Sequence, residues 1–200
     1  MLFRSLDRPS LLTLYRGGYL HDIGKVGIPD SILFKPGPLT SEEWVVMRSH
    51  PARGEEICRH VKSFEAVLPI IRHHHERWDG SGYPDGLRGE QIPFLARVLQ
   101  IVDIYDALTN PRPYKPAFTP KEALRVLEEE TARGWRDPEI VKVFFNIHSE
   151  VIIKVAEYSR RPECDLETMR ASLTNLNQAF NPGIESLPLN LDFLDNPSPA

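Results

Sequence analysis

Histidine and aspartate side chains recur in four clusters between residues 21 and 106 of the chain. The clusters are His21 with Asp22, His50, the run His73-His74-His75, and Asp103 with Asp106. Imidazole and carboxylate together suit iron, manganese, zinc or nickel better than magnesium or calcium. A carboxylate can bridge two ions about 3.5–4 Å apart, and such a pair holds a hydroxide and clamps a phosphoryl group. The set therefore favours a metal-dependent phosphohydrolase, although each cluster alone has an ordinary explanation such as a helix cap or a surface position.

Two predicted helices carry the later clusters, one from about residue 64 to 75 and the other from about residue 93 to 108. An apolar stripe on the first helix continues onto His74 and His75 at helical spacing. On the second helix, Asp103 occupies the apolar face, where a buried carboxylate without a partner would be costly. Ligation by a cation would remove that cost, and so would a salt bridge or a helix cap.

Helix signals are frequent in this sequence, whereas strand signals are scarce. Capping-box patterns that begin at Thr40 and Thr119 each predict the start of a helix, and Gly134 predicts the end of the second one. Asp137 with Pro138 predicts the start of a further helix. No alternating apolar run is bounded by a tight two-residue turn. The expected fold class is therefore all-α, a helical bundle.

Glycine enrichment marks two further segments. Residues 78–86 are rich in glycine, proline and aspartate, which predicts an ordered loop between the two histidine- and aspartate-bearing helices. Gly17 and Gly18 lie within the first predicted helix, and each is expected to weaken it by roughly 1 kcal/mol relative to alanine.

The overall composition describes an ordinary soluble domain with a small negative charge. The chain has 24 basic and 28 acidic residues, a net charge of −4, which argues against a nucleic acid polymer as partner. Cys58 and Cys164 stand far apart, which favours a reducing compartment over a disulfide framework. No apolar run approaches the roughly 20 residues of a membrane span, and the start has no signal-peptide pattern. We therefore expect a cytoplasmic protein without membrane contact.

Taken in order, the motifs of this chain resemble those of HD-GYP domains. They are His-Asp-Ile-Gly-Lys at residues 21–25, His-Pro with Gly54 at 50–54, the stretch from His74 to Pro84 that ends in Gly-Tyr-Pro, residues 103–108, and Arg-Pro-Tyr-Lys at 112–115. The resemblance covers roughly residues 11–149 and implies an all-α HD-domain bundle over residues 1–149. Residues 150–200 are expected to form a C-terminal helical extension, with a helix near 166–179 and a tail from about 182.

The resemblance also implies a role for each matched position. Asp22 would bridge two metals and be catalytic, and Lys25 would be catalytic while contacting the substrate phosphate. Tyr83 would line the edge of the site, and Arg112 and Lys115 would hold a phosphate of the substrate. The implied metal ligands are His21, Asp22, His50, His74, His75 and Asp103.

The implied activity is the hydrolysis of cyclic di-GMP, a bacterial second messenger, to pGpG, to GMP or to both, by attack of a metal-activated hydroxide. The implied cofactors are two or three divalent metals, with iron or manganese favoured. Diguanylate cyclase domains are implied partners through the Gly-Tyr-Pro loop. Outside the motifs, His60 and His148 are expected at the surface, and His73 is expected to face away from the His74–His75 pair.

One feature departs from the family pattern. Family members carry a further helix before the HD motif, which supplies another histidine about 30 residues upstream, whereas here the HD histidine is already residue 21. One metal position is therefore expected to lack a ligand. The chain would then be N-terminally truncated, a shortened enzyme with a weakened or mononuclear site, or a non-catalytic module that binds cyclic di-GMP or a protein. Exposed apolar surface would favour a homodimer, and an HD hydrolase of another nucleotide is a further alternative.

Overall fold

The computed structural model describes residues 6–111 and 116–159, with side chains described up to residue 154. Within these ranges three short 3-10 segments, Ile23–Gly27, Lys62–Val67 and Gly89–Gln91, accompany the α-helices. The α-helices are α1 (Arg8–Leu20), α2 (Asp30–Leu33), α3 (Ser41–Met47), α4 (His50–Cys58), α5 (Leu68–His73), α6 (Phe94–Thr109), α7 (Pro120–Ala132) and α8 (Pro138–Ser159). The described residues form no β-strand, so the predicted all-α class is confirmed.

The chain up to Ser149 forms one compact unit, and Glu150 begins a second. The helix expected near residues 166–179 and the tail from about residue 182 lie outside the described residues, so the division into a site-bearing domain and a helical extension stays a prediction. Within the described ranges, no helix combines the length and the apolar composition that a membrane crossing requires.

The predicted helix starts are confirmed, and one predicted helix is wrong in its extent. Thr40 and Thr119 both complete capping boxes, and α8 begins at Pro138 as expected. The helix predicted from about residue 64 begins instead as a 3-10 segment, and α5 starts only at Leu68. The reason is Pro69, whose nitrogen has no hydrogen and cannot donate to the carbonyl four residues earlier.

The core has two parts, and α6 packs against helices that contribute to both. Five buried side chains from α6, α7 and α8 form the larger cluster, Ile101, Leu127, Ile140, Val141 and Phe144. Three from α4, the second 3-10 segment and α5 form the smaller cluster, Cys58, Val67 and Ile71. The Cys58 thiol is free and buried, and Cys164 lies outside the described residues.

Two glycines allow the HD segment to lie directly against α4. A Cβ atom built on Gly24 would lie 1.9 Å from the carbonyl oxygen of His50, so no side chain fits there. On the facing helix, a Cβ atom on Gly54 would lie 2.8 Å from Cγ2 of Ile71. This backbone-to-backbone contact brings Asp22, just before Gly24, next to His50 at the start of α4.

The two adjacent glycines of α1 have different environments. Gly17 is buried, and a Cβ atom there would lie 2.7 Å from Cδ1 of Ile70, whereas a Cβ atom on Gly18 would meet no heavy atom within 4 Å. The expectation that both glycines only weaken the helix is therefore incomplete, because Gly17 permits the close packing of α1 on α5.

The same substitution at these neighbouring positions should change stability in opposite directions. Gly17→Ala should lower the free energy of unfolding by about 1–3 kcal/mol, because Ile70 is fully enclosed and overpacking forces a shift. Gly18→Ala should raise it by up to about 1 kcal/mol, because only helix propensity changes. Urea unfolding of both variants measures this, and equal shifts at the two positions would contradict the packing described.

Candidate metal centre

Four of the expected ligands meet at one point between the ends of helices. His50 is the first residue of α4, His74 and His75 directly follow α5, and Asp22 precedes the first 3-10 segment. One donor atom from each of these four residues lies within 4.8 Å of the other three. His50 and His74 are almost fully buried, at 2% exposure each.

The three imidazoles of His21, His50 and His74 are held in the same way. In each ring, Nδ1 is hydrogen-bonded to the backbone carbonyl three residues earlier, at 2.8, 2.9 and 2.7 Å respectively. A neutral imidazole that donates from Nδ1 carries its lone pair on Nε2. A backbone or carboxylate acceptor on the outer nitrogen is also what orients metal-bound histidines in proteins.

The inward-facing atoms are all acceptors. Nε2 of His50 lies 3.3 Å from Nε2 of His74 and 3.3 Å from Oδ1 of Asp22. That carboxylate oxygen is buried without a hydrogen-bond partner, and Nε2 of His74 is 3.8 Å from it. Lone pairs that converge in this way repel one another unless a cation lies among them. As a set of metal ligands, these nitrogen and oxygen atoms therefore fit a divalent cation.

The second oxygen of Asp22 belongs to a neighbouring group. Oδ2 lies 3.5 Å from Nε2 of His21, which in turn lies 3.7 Å from Oδ1 of Asp103. The ammonium group of Lys25 is 2.5 Å from the same Oδ2. Asp103, on α6, keeps 34% of its side chain exposed, so it is less buried than its position on an apolar face indicated. The Asp22 carboxylate thus lies between two groups of potential metal ligands. His50 and His74 are near Oδ1, and His21, which is itself near Asp103, is near Oδ2.

Burial and charge keep these residues in the protonation states that metals bind. Burial lowers the pKa of His74 to about 3 and that of His75 to about 2. Burial alone would raise the pKa of Asp22, but the hydrogen bond and the positive charge of the Lys25 ammonium outweigh it and hold that pKa well below its usual range. At neutral pH the imidazoles of His74 and His75 are therefore neutral and the carboxylate of Asp22 is ionised.

The Gly-Tyr-Pro loop is held by hydrogen bonds to a buried carboxyl group and by an ion pair. Glu76 is fully buried, and its two oxygens accept hydrogen bonds from the backbone N–H groups of Asp85, at 2.7 Å, and Leu87, at 3.1 Å. Arg72 donates twice to the Asp85 carboxylate, both at 2.7 Å. These contacts hold the Tyr83 ring stacked on His75, with centroids 4.9 Å apart.

A cavity of about 220 Å³ opens beside the centre. The metal-centre residues on its wall are His74, His75 and Asp103, and Tyr83 lines it as the resemblance implied. Its other lining residues were not predicted, because single arginines and aromatics on helices carry no local signal of a site. They are Trp44, Arg48, Arg77, Gln100, Ile104 and Arg136.

The remaining sequence candidates fall elsewhere. Arg112 and Lys115 lie outside the described residues. His60 is exposed as expected, whereas His148 is partly buried. His73 lies away from the centre, with Nδ1 3.5 Å from Oδ2 of Asp85.

Comparison with known proteins assigns the chain to a family. The family model described as "HD domain" matches residues 3–140, and the chain therefore belongs to the HD domain family. Its relatives confirm the predicted resemblance to HD-GYP domains. One relative, named cyclic di-GMP phosphodiesterase, from Vibrio cholerae serotype O1, is 43% identical in an alignment of 152 positions that covers 72% of this chain and 31% of the relative.

Two further proteins of Vibrio cholerae are similar. One, named 3′3′-cGAMP-specific phosphodiesterase 2, is 41% identical in an alignment of 135 positions that covers 66% of this chain and 26% of that protein. The other is a crystal structure of a cyclic GMP-AMP specific phosphodiesterase, with a TM-score of 0.54, 20% identity, and coverage of 96% of this chain and 48% of that one. This structural likeness supports the fold. The chain spans about a quarter to a third of the length of these curated relatives.

Removing the charge of Asp22 should weaken metal binding. Asp22→Asn keeps the shape but removes the anion between the two groups of potential metal ligands, so the affinity for Mn²⁺ should fall by at least about 10-fold. Calorimetric titration of chelator-treated protein measures the affinity. His60→Gln is the matched control at an exposed histidine and should bind as the original chain does. Equal affinity in the Asp22 variant would mean that this carboxylate is no ligand.

The metal-free protein should lose stability as the pH falls below about 6.5. The folded-state pKa values of His74 and His75 lie below the usual value, so the unfolded chain binds protons that the folded chain refuses. The stability is present above pH 6.5 and is lost as the pH falls toward the folded values. Urea midpoints in chelator between pH 7 and 4.5 measure the slope, which His75→Gln should reduce. An unchanged slope in this variant would contradict a neutral, buried His75.

Proposed function

We propose that this chain is a metal-dependent phosphodiesterase that hydrolyses cyclic di-GMP to pGpG, to GMP or to both. The observation that carries the proposal is Asp22, an ionised carboxylate that lies between two groups of potential metal ligands, some of which line a cavity. The relative named cyclic di-GMP phosphodiesterase supports the substrate. Cyclic GMP-AMP is the second candidate, supported by the relative named for that dinucleotide.

The proposed cofactors are two divalent metals, iron or manganese, with a third as the upper bound. The proposed ligands are His50, His74 and His75 on one side of Asp22, and His21 and Asp103 on the other. When bound, the metals would supply a hydroxide at neutral pH and stabilise negative charge on the phosphate.

The side chains around this centre have complementary tasks in the proposal. Asp22 stays ionised across the physiological range, because its pKa is held low. The Lys25 ammonium, anchored on Asp22 and about two-fifths exposed, donates to a non-bridging phosphate oxygen and stabilises the charge that develops there. Burial raises the pKa of Tyr83 to about 12, so its hydroxyl keeps its proton and can donate to the substrate at the edge of the cavity.

The remaining assignments extend this proposal. Arg112 and Lys115 would hold the other substrate phosphate, and the reaction would take place in the cytoplasm, where cyclic dinucleotide messengers act. The loop around Tyr83 would also dock diguanylate cyclase domains. A homodimer would cover apolar side chains that α1 exposes, among them Tyr15 and Tyr19.

Removing the Lys25 ammonium should reduce turnover more than metal content. Lys25→Ala should lower kcat for cyclic di-GMP by about 100-fold, because a charge that stabilises the transition state is lost while the metal ligands remain. Product analysis by chromatography with metal content on the same sample measures both, and Asp22→Ala should lose both. Lys62→Ala, at an exposed lysine, is the control.

Two outcomes would contradict this scheme. Retained turnover in Asp22→Ala would remove the shared carboxylate from the mechanism. An original chain that binds cyclic di-GMP without cleaving it would support the non-catalytic binding module instead.

A further inference from the structure

One wall of the cavity carries aromatic rings next to the metal centre, with one arginine between them. The His75 ring stacks on Tyr83, with a 4.9 Å centroid distance and a 27° interplanar angle. The guanidinium carbon of Arg48 lies 5.4 Å from the Tyr83 centroid and 5.6 Å from the Trp44 centroid. Trp44, on α3, keeps 45% of its surface exposed although it lines the cavity.

The guanidinium of Arg48 differs from the paired arginines of the fold. Arg72, Arg97 and Arg136 each form an ion pair with a carboxylate at 2.6–2.8 Å. Within the described part of the chain, the contacts of Arg48 are with aromatic rings and not with a carboxylate. A planar cation whose contacts are with ring faces keeps its five N–H donors available for a ligand.

The guanidinium of Arg48 beside the exposed indole of Trp44 suits a purine base. Nucleobases stack on aromatic side chains whatever their sequence, so the exposed ring of Trp44 offers a platform for either purine. Arginine donates two parallel hydrogen bonds to O6 and N7 of guanine, whereas adenine has an amino donor in place of O6. Trp44 and Arg48 together therefore favour guanine over adenine.

We propose that Trp44 and Arg48 form a subsite for one guanine base of a cyclic dinucleotide, and that Arg48 is the residue that selects guanine. This inference rests on the proposed function for the identity of the ligand. It assigns base recognition to residues of α3 and its C-terminal cap, which are next to the proposed metal ligands but are not among them.

The size of the cavity limits how much of the ligand it can enclose and contact. At about 220 Å³ it is smaller than the roughly 300–1,000 Å³ of pockets that enclose a drug-sized ligand. It encloses one half of a cyclic dinucleotide, and the second base lies outside. A ligand with a single guanine therefore satisfies the subsite, because it can bind in the orientation that places this guanine against Arg48.

Equilibrium binding of three cyclic dinucleotides tests this subsite without turnover. In the presence of a chelator, the Kd values of cyclic di-GMP and 3′3′-cGAMP should agree within about threefold, and cyclic di-AMP should bind at least about 10-fold more weakly. Arg48→Lys keeps the charge but loses the planar fork. It should raise the Kd of the two guanine ligands by about 10-fold and leave that of cyclic di-AMP unchanged.

Two further variants separate base recognition from other contacts. Arg59→Lys, at an exposed arginine after α4, is the control and should change none of the three Kd values. Trp44→Ala should weaken all three ligands by a similar factor, because stacking does not distinguish the bases.

Three results would overturn the subsite. The first is equal weakening of all three ligands in Arg48→Ala with full recovery in Arg48→Lys, which indicates a phosphate contact. The second is equal affinity of the original chain for all three ligands, and the third is no binding of any of them. The expected binding pattern without hydrolysis after metal is restored would leave the subsite standing and refute the proposed enzyme instead.

Discussion

Acceptor atoms that face one another dominate the centre of this fold. Nε2 of His50 lies 3.3 Å from both Nε2 of His74 and Oδ1 of Asp22, an arrangement that is unfavourable until a cation lies among them. The chain enforces it through backbone contacts that cannot easily relax. Each ring is tied through Nδ1 to a carbonyl, and Gly24 lies against the backbone of His50. Folding therefore stores a repulsion that a bound cation would release.

The loop next to the centre depends on a second buried carboxyl group, whose oxygens are satisfied by the backbone. Glu76 is fully enclosed, and both of its oxygens accept hydrogen bonds from backbone N–H groups. Arg72 ties the same loop to α4 through Glu55 and to Asp85 at the loop itself. The carboxyl group of Glu76 thus holds the loop in place. In Asp22, by contrast, Oδ1 has no hydrogen-bond partner and faces the imidazoles of His50 and His74.

The candidate metal ligands can be predicted from the sequence, whereas most other residues that line the cavity cannot. Histidines and aspartates in family order identify these ligands, and glycines mark the loop that carries Tyr83. The outer wall of the cavity is assembled from Trp44 and Arg48 on α3, Arg77 in the loop, and Arg136 before α8. Because these residues come from three separate segments and have ordinary local surroundings, only their convergence in space shows that they belong together.

The sequence by itself determined the all-α class, the capped starts of α7 and α8, and the identity of the residues that converge on Asp22. These follow from local chemistry: capping side chains, helical periodicity and the rarity of clustered imidazoles. The tertiary structure decided that Gly17 is a packing position and that the guanidinium of Arg48 lies near the rings of Tyr83 and Trp44. Each of these depends on which atoms of distant segments come into contact, and no local pattern encodes such distances.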